Sequence, residues 1–294
     1  MILVTGATGF IGSYLMPRLA SFSKVRCLVR PPSIPSLKKN ASVEIIPYDF
    51  LSPDSLDRAL EGVHCVIHMA ALLRKKSPDE IRKVNVEGTQ RLLDAARNQG
   101  VSHFIFTSTE NALRENLSDA YAQTKREAEV IVQSFPNHLI LRPSFVYGRG
   151  DTHGLGRLLS IAEKYPVVPL FGGLKQKIQP LYIEDMTEYL LLAVQKNLKG
   201  EFIVAGSETV NLNDFMKRML RIRSLKKMTL PIPYFMYAAS AMAGDLFFKS
   251  GDWGSAQLKN IYQSRTYSIE ETIQAFGYTP RSLEAGLRGW LDNK

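Results

Sequence analysis

Over the first 143 residues, short and nearly continuous apolar runs alternate with longer segments in which apolar positions recur every three or four residues. The short runs are ILVT (2–5), VRCLV (25–29), VEIIP (43–47), HCVIHMA (64–70), HFIFTS (103–108) and HLILR (138–142). A strand that is apolar on both faces belongs in a parallel sheet covered by helices on each side. The segments between them predict helices up to about Ser21 and over 53–60, 77–100 and 119–134. Pro53 suits the first turn of the second helix with Ser52 as its cap, and Gly100 ends the third. Such alternation implies right-handed crossovers and a doubly wound α/β fold. After Pro143 the rhythm loosens. Glycine-rich stretches (GRGDTHGLG, FGGL) precede helices expected at 184–196 and 211–222, which flank a strand at 201–205.

Composition narrows the classes. Of the 294 residues, 45% are hydrophobic and 22% charged, enough for a large core and against disorder. The net charge of +9 is spread through the chain, without a dense basic run interleaved with aromatics. Nucleic acid is therefore not an expected partner, and the positive field suits an anionic cofactor or substrate. Cys27 and Cys65 sit in apolar runs and read as reduced core thiols. No CxxC or HExxH spacing occurs, so no metal site is expected. The opening MILVTG reads as a strand and not as a signal peptide, which makes the cytoplasm the expected location. Residues 230–244, LPIPYFMYAASAMAG, carry no charge but are too short to span a bilayer, and two prolines open them. They read as a buried or lid helix. Peripheral membrane contact, with RIRSLKK just upstream, is the lesser reading.

The turn after the first strand is VTGATGFIG. Gly6, Gly9 and Gly12 suit a strand–helix turn in which the backbone approaches a pyrophosphate and the helix packs close on the strand. Free N–H groups at the helix start, from Thr8 through Phe10 and Ile11, face such a ligand. This is the dinucleotide-binding arrangement of a Rossmann sheet. The expected organisation is a Rossmann domain over 1–145, with 178–205 packing back on it, and a smaller substrate-binding lobe over 146–294. The second strand ends in KVRCLVRPPS, with no carboxylate to bind an adenosine ribose. Arg26 and Arg30 bracket that strand end and favour NADP(H) over NAD(H). Asp49, after the third strand, is placed to meet the adenine amino group, or to act as a turn residue.

The chain resembles the extended branch of the short-chain dehydrogenase/reductase superfamily, with its NAD-dependent epimerase/dehydratase-like members. The resembling residues are VTGATGFIG, DFLSPDSL, HMAA (68–71), VNVEGT (84–89), FTSTE (106–110), YAQTK (121–125), LRPSFVYG (141–148), YIEDM (182–186) and the tail 267–287. The resemblance implies that Tyr121 and Lys125, four apart on one helix face, form a proton-transferring pair. An ammonium beside a phenol favours the phenolate. In the family the lysine also binds the nicotinamide ribose, and a third hydroxyl, here Thr109 with Ser108 as fallback, orients the substrate oxygen. By position, Asp49 and Phe50 fall beside the adenine, Ala70 and Ala71 leave room for the dinucleotide, and Pro143 passes near the carboxamide. Asn85 either helps hold the lysine end of the site or stabilises its own helix. Asp185 is expected to be structural, and Arg142 to touch substrate or cofactor or to anchor the lobe.

Tyr121 follows Thr109 by only 12 positions. That spacing is shorter than in many extended members and is similar to atypical ones such as the accessory subunit of respiratory complex I. The leading expectation is an NAD(P)-dependent oxidoreductase acting on a secondary alcohol or ketone of a small, apolar substrate. The alternatives are a nucleotide-sugar epimerase or dehydratase, and a non-catalytic NADPH-binding assembly or sensor protein. Glu110 without a second acid at Asn111 argues against dehydration. The resemblance also implies a homodimer through helices 77–99 and 119–134.

Overall fold

Seven strands form one parallel sheet in the computed structural model of the chain, which describes residues 1–36, 41–51, 56–73, 77–114, 119–151, 155–173, 175–247 and 263–292. β1 (Ile2–Thr5) is central. On one side lie β2 (Val25–Val29) and then β3 (Val43–Pro47); on the other lie β4 (Cys65–His68), β5 (His103–Thr107) and β6 (His138–Pro143). The strand Gly200–Val204 completes the edge beyond β6. Thr5 stands level with both Leu28 and His68, so the strands end together along one edge. Successive connections leave β1 in opposite directions, which opens a crevice at that edge. The fold is α/β and Rossmann-like, as the apolar runs imply: every residue of β1, β2, β4 and β5 is buried.

The crossovers differ in detail from the periodicity. α1 (Phe10–Leu19) starts directly at Gly9. α2 is confined to Asp57–Leu60, and the proposed cap Ser52 and first-turn Pro53 lie outside the described residues. The long helix expected over 77–100 is three pieces. α3 (Pro78–Arg82) opens on a capping box between Ser77 and Glu80, a π-turn covers Lys83–Glu87, and α4 (Gly88–Asn98) follows. The wider π-turn carries Val84, Asn85 and Val86 inward together. α5 (Ala120–Gln133) is capped by Asp119, whose carboxylate accepts the Tyr121 N–H.

The chain divides into two compact units. One comprises Met1–Pro143, Met186–Val204 and Glu270–Tyr278; the other comprises Ser144–Asp185, Ala205–Ile269 and Thr279–Lys294. The second unit is built from short strand pairs, among them Val167–Phe171 with Met228–Ile232, and helices including Leu155–Lys164, Leu212–Ile222 and Leu283–Leu291. Its core gathers Tyr147 against Tyr182, Phe215 and Trp290, with ring centroids 5.5–5.7 Å apart. Asp185 is fully buried there and accepts the Arg281 backbone N–H, a structural use. The uncharged stretch 230–244 is not one buried helix. It begins as the strand Met228–Ile232 and continues as the helix Tyr234–Phe247, where Phe235 is 70% exposed and Met242 62%.

Candidate functional site

The turn between β1 and α1 is shaped by what its glycines lack. Gly6 has φ +74°, and a Cβ there would lie 2.8 Å from the Ala70 nitrogen and 2.9 Å from the Met69 carbonyl carbon. A Cβ at Gly12 would strike the Gly6 and Ala7 carbonyls. Only glycine lets β1, β4 and α1 meet this closely. Gly9, at the N-cap, is crowded only by the Gly6 carbonyl at 3.2 Å.

A cavity of about 190 Å³ opens beside this turn. Gly6, Thr8 and Gly9 form its floor, Arg30 comes from the end of β2, and Asp49 and Phe50 from the end of β3. Ala70 and Ala71 come from the end of β4. Phe10, Ile11 and Gly12 lie in the first turn of α1 and do not line it. Asp49 also accepts its own loop's Leu51 N–H at 2.9 Å, so the turn reading holds for one of its oxygens. A glycine-walled cavity at a helix start, with one arginine at its rim, suits an anionic dinucleotide. Arg26 does not reach it. Its guanidinium is buried against Glu44 (2.8 Å) and the carbonyls of Ala59 (2.9 Å) and Glu61 (2.8 Å), because the β2–β3 register sets it opposite Glu44.

Behind the cavity wall runs a buried polar chain that starts at Ala70. The Ala70 N–H donates to Thr5 Oγ1 at 3.1 Å, and Thr5 Oγ1 lies 2.6 Å from His68 Nδ1. His68 Nε2 lies 3.0 Å from Thr89 Oγ1, whose own proton goes to the Asn85 carbonyl at 2.7 Å. Thr89 has one hydroxyl proton and uses it, so His68 must donate from Nε2 and accept at Nδ1. Burial pulls the His68 imidazole down to about 3, with the Lys125 charge adding to the effect, so the ring is neutral. Asn85 continues the tie. Its amide accepts from Leu72 N–H (2.8 Å) and donates to the Leu72 carbonyl (3.1 Å) and to Thr124 Oγ1 (3.1 Å), on α5 beside Lys125. Sequence reasoning missed His68. The available signal was a histidine inside an otherwise apolar strand run, which must find two partners when buried.

Lys125 is 1% exposed. Its Nζ donates to the carbonyl of Thr107, the last residue of β5, at 2.6 Å and lies 3.8 Å over the Phe106 ring. Burial pulls this ammonium down to about 7, opposed by the Glu129 charge. Tyr121 lies one turn earlier on α5 and is half-buried. Thr109 is buried, caps the short turn Glu110–Leu113, and accepts from the Asn111 N–H and side-chain amide, both at 3.3 Å. Both bonds use its lone pairs and leave its O–H to donate. Ser108 is committed elsewhere, donating to Glu129. Glu129 is in turn gripped by Arg142 through Nε (3.0 Å) and Nη2 (2.8 Å), and Arg142 also meets Glu201 at 2.5 Å. Arg142 therefore ties α5, β6 and the edge strand together. Pro143 ends β6 opposite Val204.

Cys27 and Cys65 are free and buried, and burial pushes both thiols up to about 12. Among the described residues there is no group of three His, Cys, Asp or Glu that could hold a metal ion, and no helix is long and apolar enough to cross a membrane.

A model of the NAD dependent epimerase/dehydratase family matches residues 2–206. The chain is 34% identical over 193 residues to a ceramide reductase of Caulobacter vibrioides, a match covering 65% of this chain and 60% of that protein. It is 24% identical to a 3 beta-hydroxysteroid dehydrogenase/Delta 5→4-isomerase of Mycobacterium tuberculosis, over 95% of this chain and 86% of the relative. Among solved structures, a UDP-glucuronic acid 4-epimerase from Bacillus cereus, in complex with UDP-glucuronic acid and NAD, superposes with a TM-score of 0.74. It is 25% identical and covered to 98%, over 99% of this chain.

Proposed function

Because the chain belongs to the NAD dependent epimerase/dehydratase family, whose members here are enzymes of the extended short-chain dehydrogenase/reductase type, we propose that it is an oxidoreductase for an apolar secondary alcohol or ketone. The observation that carries this reading is a buried lysine amine one helical turn after Tyr121, at the sheet edge where the glycine-walled cavity opens. The names of the relatives, a ceramide reductase and a hydroxysteroid dehydrogenase, support a lipid- or steroid-like substrate.

The turn at Gly6, Thr8 and Gly9 would hold the pyrophosphate, with Ala70 and Ala71 leaving room beside it. Arg30 would meet a 2′-phosphate, and no carboxylate at the end of β2 competes for a ribose, which supports NADP(H) over NAD(H). Asp49 and Phe50 would border the adenine. When bound, the nicotinamide supplies the hydride donor or acceptor. Tyr121 then moves a proton at its Oη, to a carbonyl oxygen or from an alcohol. The charge of Lys125, one helical turn away, favours the phenolate. Thr109 Oγ1 donates to the substrate oxygen, a role Ser108 cannot share while it is bound to Glu129.

The test is oxidation of NADPH with a panel of ketosteroids and long-chain keto lipids, alongside binding of NADPH and NADH. Turnover with an apolar ketone, and an NADPH preference that Arg30→Ala abolishes, are expected. The likeness to the Bacillus cereus epimerase favours a second reading, interconversion of a nucleotide sugar. NAD retained through purification, with UDP-sugar interconversion and no NADPH consumption by any ketone, would establish that reading instead.

A further inference from the structure

The strand Met228–Ile232 and the helix Tyr234–Phe247 in the second unit expose side chains that a folded chain normally hides. Met228 is 64% exposed and Phe235 is 70%; Leu230, Tyr234, Met236 and Met242 are also exposed. The helix is fixed on its other side, where Tyr237 stacks on Phe171 with centroids 4.6 Å apart and Ala241 is fully buried. From Tyr234 to Gly244 its residues are nevertheless apolar, small or hydroxyl-bearing, and Asp245 in its last turn is the helix's one charged residue. An uncharged helical stretch belongs in a core or at an interface, and a contiguous exposed apolar patch marks a binding surface.

The charge beside this face indicates its partner. Residues 215–244 contain six Lys or Arg and no Asp or Glu. All six precede Met228. Arg218, Arg221 and Arg223 sit in ion pairs with Glu208, Glu284 and Glu163. Lys226 and Lys227, next to the strand, therefore supply the positive charge beside a stretch that is uncharged from Met228 to Gly244. At that end of the strand pair, Met228 N–H donates to the Pro166 carbonyl. Lys227 Nζ meets the carbonyls of Glu163 (3.3 Å) and Tyr165 (3.1 Å), and Lys164 Nζ lies 5.4 Å over the exposed Tyr165 ring. An uncharged apolar face rimmed by tyrosine and lysine matches the acyl–headgroup boundary of an anionic bilayer, where each basic residue adds about 1 kcal/mol.

We infer that the strand Met228–Ile232 and the helix Tyr234–Phe247 form a docking face for the surface of an anionic lipid membrane. The helix lies in the interface with Phe235 and Met242 inserted, and Lys164, Lys226 and Lys227 reach the headgroups. The inference does not depend on the proposed reaction, because its readout is partition onto lipid.

Co-sedimentation of the full chain with phosphatidylglycerol-rich vesicles, and with pure phosphatidylcholine vesicles, tests it. Binding to the anionic vesicles is expected, weakening with salt. The double variant Phe235→Glu, Met242→Glu should bind them at least about tenfold less, since it replaces the two exposed apolar side chains that enter the bilayer with carboxylates. Its circular dichroism spectrum and urea midpoint should be nearly unchanged, showing that the chain remains folded. Absence of sedimentation with anionic vesicles, or equal sedimentation of parent and double variant, would overturn the inference. So would a dimer in solution that the double variant converts to monomer, which would show a second copy on this face.

Discussion

Two buried cations lie against α5, and they are treated in opposite ways. Arg142, from β6, is enclosed by two carboxylates, with Glu129 gripped at two nitrogens and Glu201 at a third contact. Those partners hold its guanidinium above its already high ordinary value, against the cost of burial. Lys125, one turn before Glu129, receives a carbonyl and an aromatic face instead, and burial wins. A carbonyl dipole and a ring quadrupole recover only part of an ammonium's lost hydration. The same helix thus holds one cation locked for structure and one left close to neutrality. A lysine used only for packing would gain from a carboxylate partner. One held near its proton-exchange point is what a proton-transfer site needs.

The largest expected effect falls on the pair at the start of α5. Tyr121→Phe should lower kcat/KM for the best ketone by about 100- to 10,000-fold, with the circular dichroism spectrum and NADPH affinity nearly unchanged. A variant as active as the parent would remove the proton-donor role. Lys125→Met should lose turnover on a similar scale, yet its stability at neutral pH should not fall, because it removes an incompletely compensated buried charge. The structural cation should behave in the reverse way. Arg142→Met strands Glu129 in the interior and should cost about 3–5 kcal/mol in urea unfolding. Equal stability losses from Lys125→Met and Arg142→Met would erase the contrast between the two sites.

A smaller effect separates them by pH. Folded Lys125 releases its proton near 7, whereas in the unfolded chain it does so near 10.5. Between these values the unfolded state holds the extra proton, so this residue makes stability rise as pH increases from about 7 to about 10. Lys125→Met should flatten that rise, read as the urea midpoint across the range.

The parallel sheet could be read from the sequence because burial on both faces leaves uninterrupted apolar runs, as in VRCLV and HFIFT. The second unit resisted reading for the converse reason. Its strand pair Val146–Tyr147 with Leu181–Tyr182 is two residues long on each side, too short to show a period. The strand Met228–Ile232 runs almost without a break into an equally apolar helix, so nothing in composition marks the change. The glycine turn was legible because its spacing is local. Which arginine faces the cavity was not, since Arg26 and Arg30 differ only in what the β2–β3 register sets beside them. His68 was hidden for the same reason. Thr5 is 63 positions before it and Thr89 is 21 after it, and only sheet pairing and the π-turn bring the three together.

The smallest predicted effect concerns that histidine, which belongs with Arg142 among the fully partnered groups. Both ring nitrogens of His68 are engaged, and folding holds it neutral down to about pH 3, while in the unfolded chain it protonates near 6.5. Below about 6.5 the unfolded state therefore carries a proton that the folded state refuses. Stability falls as pH drops towards about 3, at up to roughly 1.4 kcal/mol per pH unit from this residue. His68→Gln can still donate to Thr89 and accept from Thr5, but it cannot titrate. It should therefore unfold in urea near the parent's midpoint at neutral pH and lose less of that stability towards pH 4. If its acid slope matched the parent's, the histidine would not be held neutral between the two threonines, and the polar chain behind Ala70 would lose its fixed direction.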